Sequence, residues 1–231
     1  MAFPDPGVTA LEALAVYNVV QNLLVPDRAY VPANLAVAAG LVTFARRQDM
    51  TFGDLGLGSE SLRSGLRWGG AVGGALGVAI LAAGSSPRFD RWLLDDRARG
   101  HSPGEAVYLC LVRFPLGTAL FEEVAFRGVL DGLLRRASGA NTARVATATW
   151  FGLWHIIPTW RAYPQMGSGS RSVTGRASAT AAGVAVTALS GLGFTGLRER
   201  SGSVAAPWLA HAAINAASYL AARRAWRSAG V

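Results

Sequence analysis

Three short polar motifs interrupt apolar stretches of this sequence, and their side chains are the ones best suited to chemistry. The first is Glu122-Glu123-Val-Ala-Phe-Arg127, the second is Phe151-Gly-Leu-Trp-His155 and the third is His211-Ala-Ala-Ile-Asn215. Ionisable groups are costly inside a membrane, so carboxylates and imidazoles in such stretches indicate function by default. Together, the three motifs predict one buried catalytic site.

The two glutamates of the first motif have different neighbours. Glu123 and Arg127 are four residues apart, which places them on one side of a helix, where a guanidinium can pair with a carboxylate. Glu122 points about 100° away from Glu123 and is free to face a cavity, where a desolvated carboxylate becomes a better proton acceptor. The alternative is a buried salt-bridge cluster without chemistry, although one ion pair needs only one glutamate.

Two histidines and an asparagine can serve the same cavity. His155 lies one turn after Phe151, near the end of its apolar segment, and suits a water-binding group; a backbone carbonyl could equally satisfy it. His211 and Asn215 are one turn apart, and an imidazole beside a carboxamide is similar to an oxyanion hole, worth roughly 3 to 4 kcal/mol per donor. Hydrogen bonding between helices is the alternative for this pair.

These residue types supply a base, a water partner and carbonyl polarisers, a set that fits peptide-bond hydrolysis. The three motifs include no GxSxG, HExxH or Cys/His pattern, which are the usual sequence evidence for the serine, conventional zinc and cysteine routes. A divalent metal such as zinc could in principle bind Glu122, His155 and His211. No two histidines have the i,i+4 spacing of a zinc site, however, so no cofactor is favoured.

The elements that must position these residues are membrane helices. Of 231 residues, 51% are hydrophobic and only 16% are charged, against roughly 25% charged residues in soluble domains. The arginines behind the net charge of +8 are scattered between apolar segments, whereas a nucleic-acid-binding protein gathers them on one face. We therefore expect membrane lipids as partners, through anionic headgroups, no nucleic acid, and a single integral membrane domain over residues 1–231.

Seven apolar segments have about the length that crosses a hydrocarbon core, which takes roughly 20 helical residues. They are Ala10–Val25, Val31–Ala45, Trp68–Ala83, Ala106–Leu134, Ala143–Pro158, Ala177–Leu197 and Val204–Ala222. Helices are favoured because a lone strand cannot satisfy its backbone in lipid, so the predicted fold is all-α, a polytopic transmembrane bundle of about seven to eight helices around an intramembrane catalytic cavity. Arg113 and Pro115 predict a break or bend in the fourth segment.

Small residues predict where helices pack closely. They recur every fourth position at Gly65, Gly69, Gly73 and Gly77, and again at Ala179, Gly183, Thr187 and Gly191. Such rows let membrane helices approach without side chains between them, so each row predicts a partner helix. The connection Tyr163–Arg176 is rich in glycine, serine and threonine, which predicts a flexible loop, either a solvated connector or a mobile loop near the site entrance.

The order EExxxR, FxxxH, HxxxN in hydrophobic helices resembles the CPBP family of intramembrane proteases, which includes the type II CAAX prenyl endopeptidases. Further similarity lies in Phe126-Arg127-Gly128 and in residues 200–211, which lead into the third motif. The resemblance covers roughly Ala106–Ala222, and residues 106–222 are therefore expected to form the protease core.

This resemblance implies a bundle of about eight helices with a cavity open to the membrane, and cleavage of a membrane-associated peptide or protein. It implies that Glu122 and His155 activate water, that His211 and Asn215 stabilise the oxyanion, and that Glu123, Arg127 and Phe151 have auxiliary or structural roles. The expected location is the cell membrane, as a multi-pass protein, and the absence of lysine is a weak indication of a bacterial plasma membrane.

Two other functions fit the same residues. A non-catalytic membrane immunity or scaffold protein would keep the polar cluster for assembly. A small transporter would use Glu122 and the histidines as a proton relay, but the sequence has no repeated halves with matching broken helices. Replacing Glu122 separates catalysis from the immunity or scaffold alternative, and proton-coupled uptake in liposomes would reveal a transporter.

Overall fold

The computed structural model describes residues 5–165 and 172–229. These residues form helices and turns, with no β-strand among them, which confirms the predicted all-α fold. The helices are α1 (Pro6–Leu23), α2 (Tyr30–Arg46), α3 (Ser59–Gly84), α4 (residues 103–138), α5 (Ala140–Trp154), α6 (Ile156–Ala162), α7 (Val173–Ser201) and α8 (Ala205–Ser228). Short helical turns occur at Asp27–Ala29, Pro87–Phe89, Asp90–Leu93, Asp96–Ala98 and Tyr163–Gln165.

Local sequence signals set the helix ends. The Asp5 side chain accepts a hydrogen bond from the Gly7 backbone N–H at 2.8 Å and so caps α1, while Ser102 and Glu105 form a capping box at the start of α4. The first turns of a helix can also be polar without a side-chain cap: α3 begins at Ser59 rather than at Trp68, because residues 59–67 include serines, a glutamate and arginines that the apolar segment excludes.

The helix that carries the first motif, α4, is continuous rather than broken. It is α-helical at Pro103–Tyr108, Phe121–Glu123 and Asp131–Ser138, and π-helical at Leu109–Leu120 and Val124–Leu130. Pro115, which has no N–H to donate, lies inside the first π-helical stretch. Asn34 Nδ2 donates to the Gly117 carbonyl and Trp208 Nε1 donates to the Pro115 carbonyl, both at 2.7 Å. The expected break is therefore a change of helix type, supported from α2 and α8.

The glycine row of α3 packs against α8, as predicted. A Cβ atom at Gly69 would lie 2.8 Å from the Ala206 carbonyl oxygen, and one at Gly73 would lie 3.0 Å from Ala210 Cα. Larger residues at these positions would collide with the backbone of α8. The row thus fixes the distance between the helix that bears His211 and its neighbour.

The second row, on α7, packs against α4, α5 and α6. A Cβ atom at Gly183 would lie 3.0 Å from Thr159 Cγ2, and one at Gly191 would lie 3.2 Å from Ala148 Cα and 3.1 Å from Arg127 Nη2. Gly191 therefore leaves room for the guanidinium of the first motif.

The predicted flexible connection Tyr163–Arg176 lies partly outside the described residues, which exclude 166–171. Its described part differs from the prediction. Tyr163–Gln165 is a helical turn, and α7 already begins at Val173.

Three of the described helices are long and apolar enough to cross a membrane: Asp27–Arg46, Ser59–Gly84 and Val173–Ser201. This is fewer than predicted. One cause is length, since α5 has only 15 residues. Another is charge: α4 carries Glu122, Glu123 and Arg127, which lower its mean hydropathy although all three are buried.

Aromatic side chains surround the first motif. The Phe126 ring lies 5.5 Å from the Trp154 ring and 5.2 Å from the Phe151 ring, and Phe121 lies 5.7 Å from Trp154, all between ring centroids. All four are buried. This apolar layer joins α4 to α5 and encloses the polar site.

Candidate active site

Helices α4 and α8 bring Glu122, Glu123 and His211 together in the protein interior. The exposed fractions of these residues are 4%, 0% and 7%. Burial of two carboxylates costs free energy unless each is hydrogen-bonded or paired. The partners of each oxygen therefore decide what each glutamate can do.

Glu123 is held on two sides through Oε1. Arg127 Nη1 donates to this oxygen at 3.3 Å, which confirms the predicted ion pair, and His211 Nδ1 lies 2.8 Å from it. Because an ionised carboxylate only accepts hydrogen bonds, Nδ1 carries the proton in this contact. His211 therefore turns Nε2 away from Glu123.

Glu122 has one engaged oxygen and one free oxygen. Trp154 Nε1 donates to Oε1 at 3.1 Å. Oε2 has no hydrogen-bond partner among the described residues and lies 3.9 Å from His211 Nε2. That separation is too long for a direct hydrogen bond and suits an intervening water molecule. Glu123 Oε2 also lacks a partner among the described residues, but Arg127 and His211 both hold Glu123. Glu122 is the glutamate whose unpartnered oxygen faces an imidazole nitrogen.

Aromatic rings enclose Arg127, which is fully buried. Its Cζ atom lies 3.9 Å from the Phe151 ring centroid and 5.3 Å from that of Phe194, distances at which a cation is attracted to an aromatic face. The Phe151 ring also lies 4.8 Å from His155 and 6.1 Å from His211, between centroids. Phe151 thus connects the three motifs.

His155 and Asn215 make fewer contacts than the other motif residues. His155 Nδ1 lies 2.7 Å from the Phe151 carbonyl oxygen, the contact that the structural alternative predicted. Within residues 5–165 and 172–229, His211 is the only histidine paired with Glu122 or Glu123, so the predicted Glu122–His155 partnership is not a direct contact. Half-buried Asn215 follows His211 by one turn, and its amide bonds to no described residue.

The site does not fit a metal centre of the kind considered from the sequence. Over the described parts of the chain, no three histidine, cysteine, aspartate or glutamate side chains are grouped so as to hold a metal ion. Glu122 and His211 each offer a free atom, but His155 does not join them, and catalytic zinc sites use three protein ligands. We derive no step through a metal.

The loop at residues 47–58 fixes the start of the helix that carries His211. The Val204 N–H donates to the Gly56 carbonyl at 2.9 Å, and Arg198 Nη2 donates to the Asp54 carbonyl at 2.9 Å. Within the loop, the Thr51 hydroxyl and backbone N–H both donate to the Asp54 carboxylate at 2.7 Å and hold its pKa below the ordinary value. A short polar turn outside the apolar segments thus supports the third motif.

Sequence reasoning missed two residues near the glutamates. Trp154 lies inside the second motif but was assigned no role, and Asn18 lies in α1, where its Nδ2 donates to the Trp154 carbonyl at 2.9 Å. An amide on the buried side of a mainly apolar helix is a usable signal, because it seldom occurs there without a partner.

Comparison with known proteins supports the resemblance. Residues 104–217 match the family described as type II CAAX prenyl endopeptidase, Rce1-like. No curated protein and no solved structure matches the chain. The matched residues include all three motifs. Residues 104–217 therefore form an Rce1-like type II CAAX prenyl endopeptidase domain, which is consistent with a membrane protease of the CPBP family.

Proposed function

We propose that the protein is an intramembrane endopeptidase that hydrolyses a peptide bond through water activated by Glu122. One observation carries the proposal. In a buried network where Glu123 and Arg127 bind each other, Glu122 Oε2 bonds to no described residue and faces His211 Nε2 at 3.9 Å.

A water molecule between these two atoms would donate one hydrogen to each. Its lone pairs would then face away from both, toward a substrate carbonyl. Glu122 Oε2 takes one proton as the water oxygen bonds to the carbonyl carbon, and the same proton passes to the amide nitrogen as the C–N bond breaks. The products are a carboxylic acid and an amine, and the base is restored.

Asn215 supplies a donor for the oxygen that becomes negative. Its amide group bonds to no described residue, is half-buried and lies one helical turn from His211. A donor in such a place stabilises the oxyanion more strongly than it stabilises the neutral carbonyl. His155 is the remaining polar group: with Nδ1 on the Phe151 carbonyl, its Nε2 is the nitrogen left for water or substrate.

The family supports a CAAX-type substrate class. We propose a membrane-associated protein or peptide as substrate and a multi-pass location in a bacterial plasma membrane. Lipid contacts follow from the exposed apolar side chains on α1, α3 and α7, such as Val16, Val78 and Leu189.

The test uses purified protein in liposomes with two quenched fluorescent peptides, one ending in a prenylated CAAX box and the other identical but unprenylated. Glu122→Gln should lower turnover by about 10²–10⁴-fold, since the amide accepts no proton. Glu12→Gln is the matched control, because Glu12 is exposed on α1, and it should retain turnover.

Because neither peptide need be the natural substrate, membranes from cells with wild-type protein or Glu122→Gln should also be compared for new peptide N-termini. Wild-type turnover by Glu122→Gln would overturn the mechanism. Cellular function that survives Glu122→Gln would instead favour the immunity or scaffold alternative.

A further inference from the structure

We infer that Trp154 is a positioning residue for Glu122, and that Asn18 of the N-terminal helix holds Trp154 in place. This inference rests on the proposed function of Glu122 as the base. It extends the site beyond residues 104–217, because α1 lies outside that range.

The indole of Trp154 decides which oxygen of Glu122 is free. Its Nε1 can only donate, and it donates to Oε1 at 3.1 Å in a buried environment. With Oε1 engaged, the plane of the carboxylate is fixed so that Oε2 faces His211 Nε2. Without the indole N–H, nothing would distinguish the two oxygens of Glu122. The carboxylate could then rotate, and no single oxygen would stay directed at His211.

Packing prevents the indole from following the carboxylate. The rings of Phe121 and Phe126 lie 5.7 and 5.5 Å from that of Trp154, between centroids, and Trp154 is only 6% exposed. A side chain locked by its neighbours can hold a partner in the productive geometry, whereas a mobile one cannot.

The Trp154 carbonyl lacks its usual helical hydrogen-bond donor because of the sequence that follows it. Trp154 ends α5, and its carbonyl would ordinarily accept a hydrogen bond from the N–H four residues later. That residue is Pro158, which has no N–H. Asn18 Nδ2 supplies the missing donor at 2.9 Å, from a side chain that is itself 7% exposed. A polar residue in apolar α1 is thereby explained.

The variant that tests this role is Trp154→Phe, which keeps an aromatic ring and removes the donor. Misdirection of the base should lower kcat by about 10- to 100-fold and leave KM within about twofold, because the substrate still binds. Trp150→Phe is the matched control: Trp150 lies one turn earlier on α5, is 37% exposed and donates to no described residue. It should keep the wild-type kcat.

Asn18→Leu separates positioning from general stability. If Asn18 acts through Trp154, Asn18→Leu lowers kcat by about 3- to 10-fold, and the double variant with Trp154→Phe falls no further than Trp154→Phe alone. If the two substitutions caused independent structural defects, their fold losses of kcat would instead multiply in the double variant. Multiplying losses, or a kcat within twofold of wild type for Trp154→Phe, would overturn the inference.

A measurement that needs no substrate keeps this inference separate from the proposed function. In protein labelled with ¹⁵N-tryptophan, the Trp154 indole N–H signal is identified by its loss in Trp154→Phe. Replacing the acceptor, as in Glu122→Ala, should shift that signal upfield and leave the Trp150 signal in place. An unmoved Trp154 signal overturns the inference; a moved signal in a wild-type protein without turnover confirms the contact and counts against the proposed function.

Discussion

Glu123→Gln should destabilise the protein far more than the same substitution at the adjacent Glu122. Glu123 Oε1 meets Arg127 Nη1 at 3.3 Å and His211 Nδ1 at 2.8 Å, and both Glu123 and Arg127 are fully buried. An amide oxygen can still accept both hydrogen bonds, but the substitution removes the only carboxylate that forms an ion pair with Arg127 among the described residues.

The loss of unfolding free energy in Glu123→Gln can be calculated in two ways. A hydrogen bond to a charged group contributes about 1.5–3 kcal/mol and a neutral one about 1 kcal/mol, so weakening two of them costs about 1–4 kcal/mol. Breaking a buried ion pair by removing one charge costs about 3–5 kcal/mol. The two ranges overlap at about 3–4 kcal/mol. For Glu122→Gln we expect less than about 1 kcal/mol, because Oε1 remains an acceptor for Trp154 and Oε2 has no described partner to lose.

The assay is reversible unfolding of the purified protein in mixed micelles, followed by tryptophan fluorescence as the denaturing detergent is increased. The free energies of unfolding of the two variants are compared with the wild type, and turnover is measured on the same samples. Equal losses of stability in the two variants would refute the division of labour between the glutamates. So would a stable Glu123→Gln protein, because it would mean that Arg127 does not need the charge of Glu123.

The remaining predictions concern packing, the oxyanion, metal and pH. Gly69→Ala should cost about 1–3 kcal/mol through overpacking, whereas Gly70→Ala, where a Cβ atom meets nothing within 4 Å, should be neutral or stabilising by up to about 1 kcal/mol in the same unfolding assay. Asn215→Ala should lower kcat by about 10²–10³-fold with little change in KM, and an unchanged kcat would remove Asn215 from the mechanism. Activity should survive a chelator in protein whose zinc content is below stoichiometric by elemental analysis; chelator-sensitive activity with one bound zinc per chain would contradict this. Asp54→Asn should lower the Tm at pH 7, and the difference from the wild type should shrink below about pH 4. The reason is that a carboxyl with a lowered folded-state pKa stabilises the fold above its unfolded pKa and loses that contribution as the pH falls. A difference in Tm that does not depend on pH would exclude the carboxylate as the cause.

The parts of the structure that follow from local sequence were predictable. The Glu123–Arg127 pair is one helical turn long, so spacing alone located it. The Glu123–His211 and Trp154–Glu122 contacts join residues 88 and 32 positions apart, and no periodicity in the chain encodes which distant atoms meet. The shared role of Glu122 and His155 in activating water stays a prediction, because the order of the motifs gives the helices and not the rotation of each side chain.

Polar donors fix the orientation of α4 more than apolar burial does. In lipid, hydrocarbon surrounds both separated and packed helices, so burial gives little drive for association, and small-residue packing and hydrogen bonds decide helix register. Side chains of α2 and α8, Asn34 and Trp208, bind carbonyls of the π-helical stretch before Glu122. Trp154 binds its carboxylate, and Asn18 binds Trp154. Four helices therefore contribute to the rotation of one glutamate, and loss of any donor should misdirect the base before it unfolds the bundle.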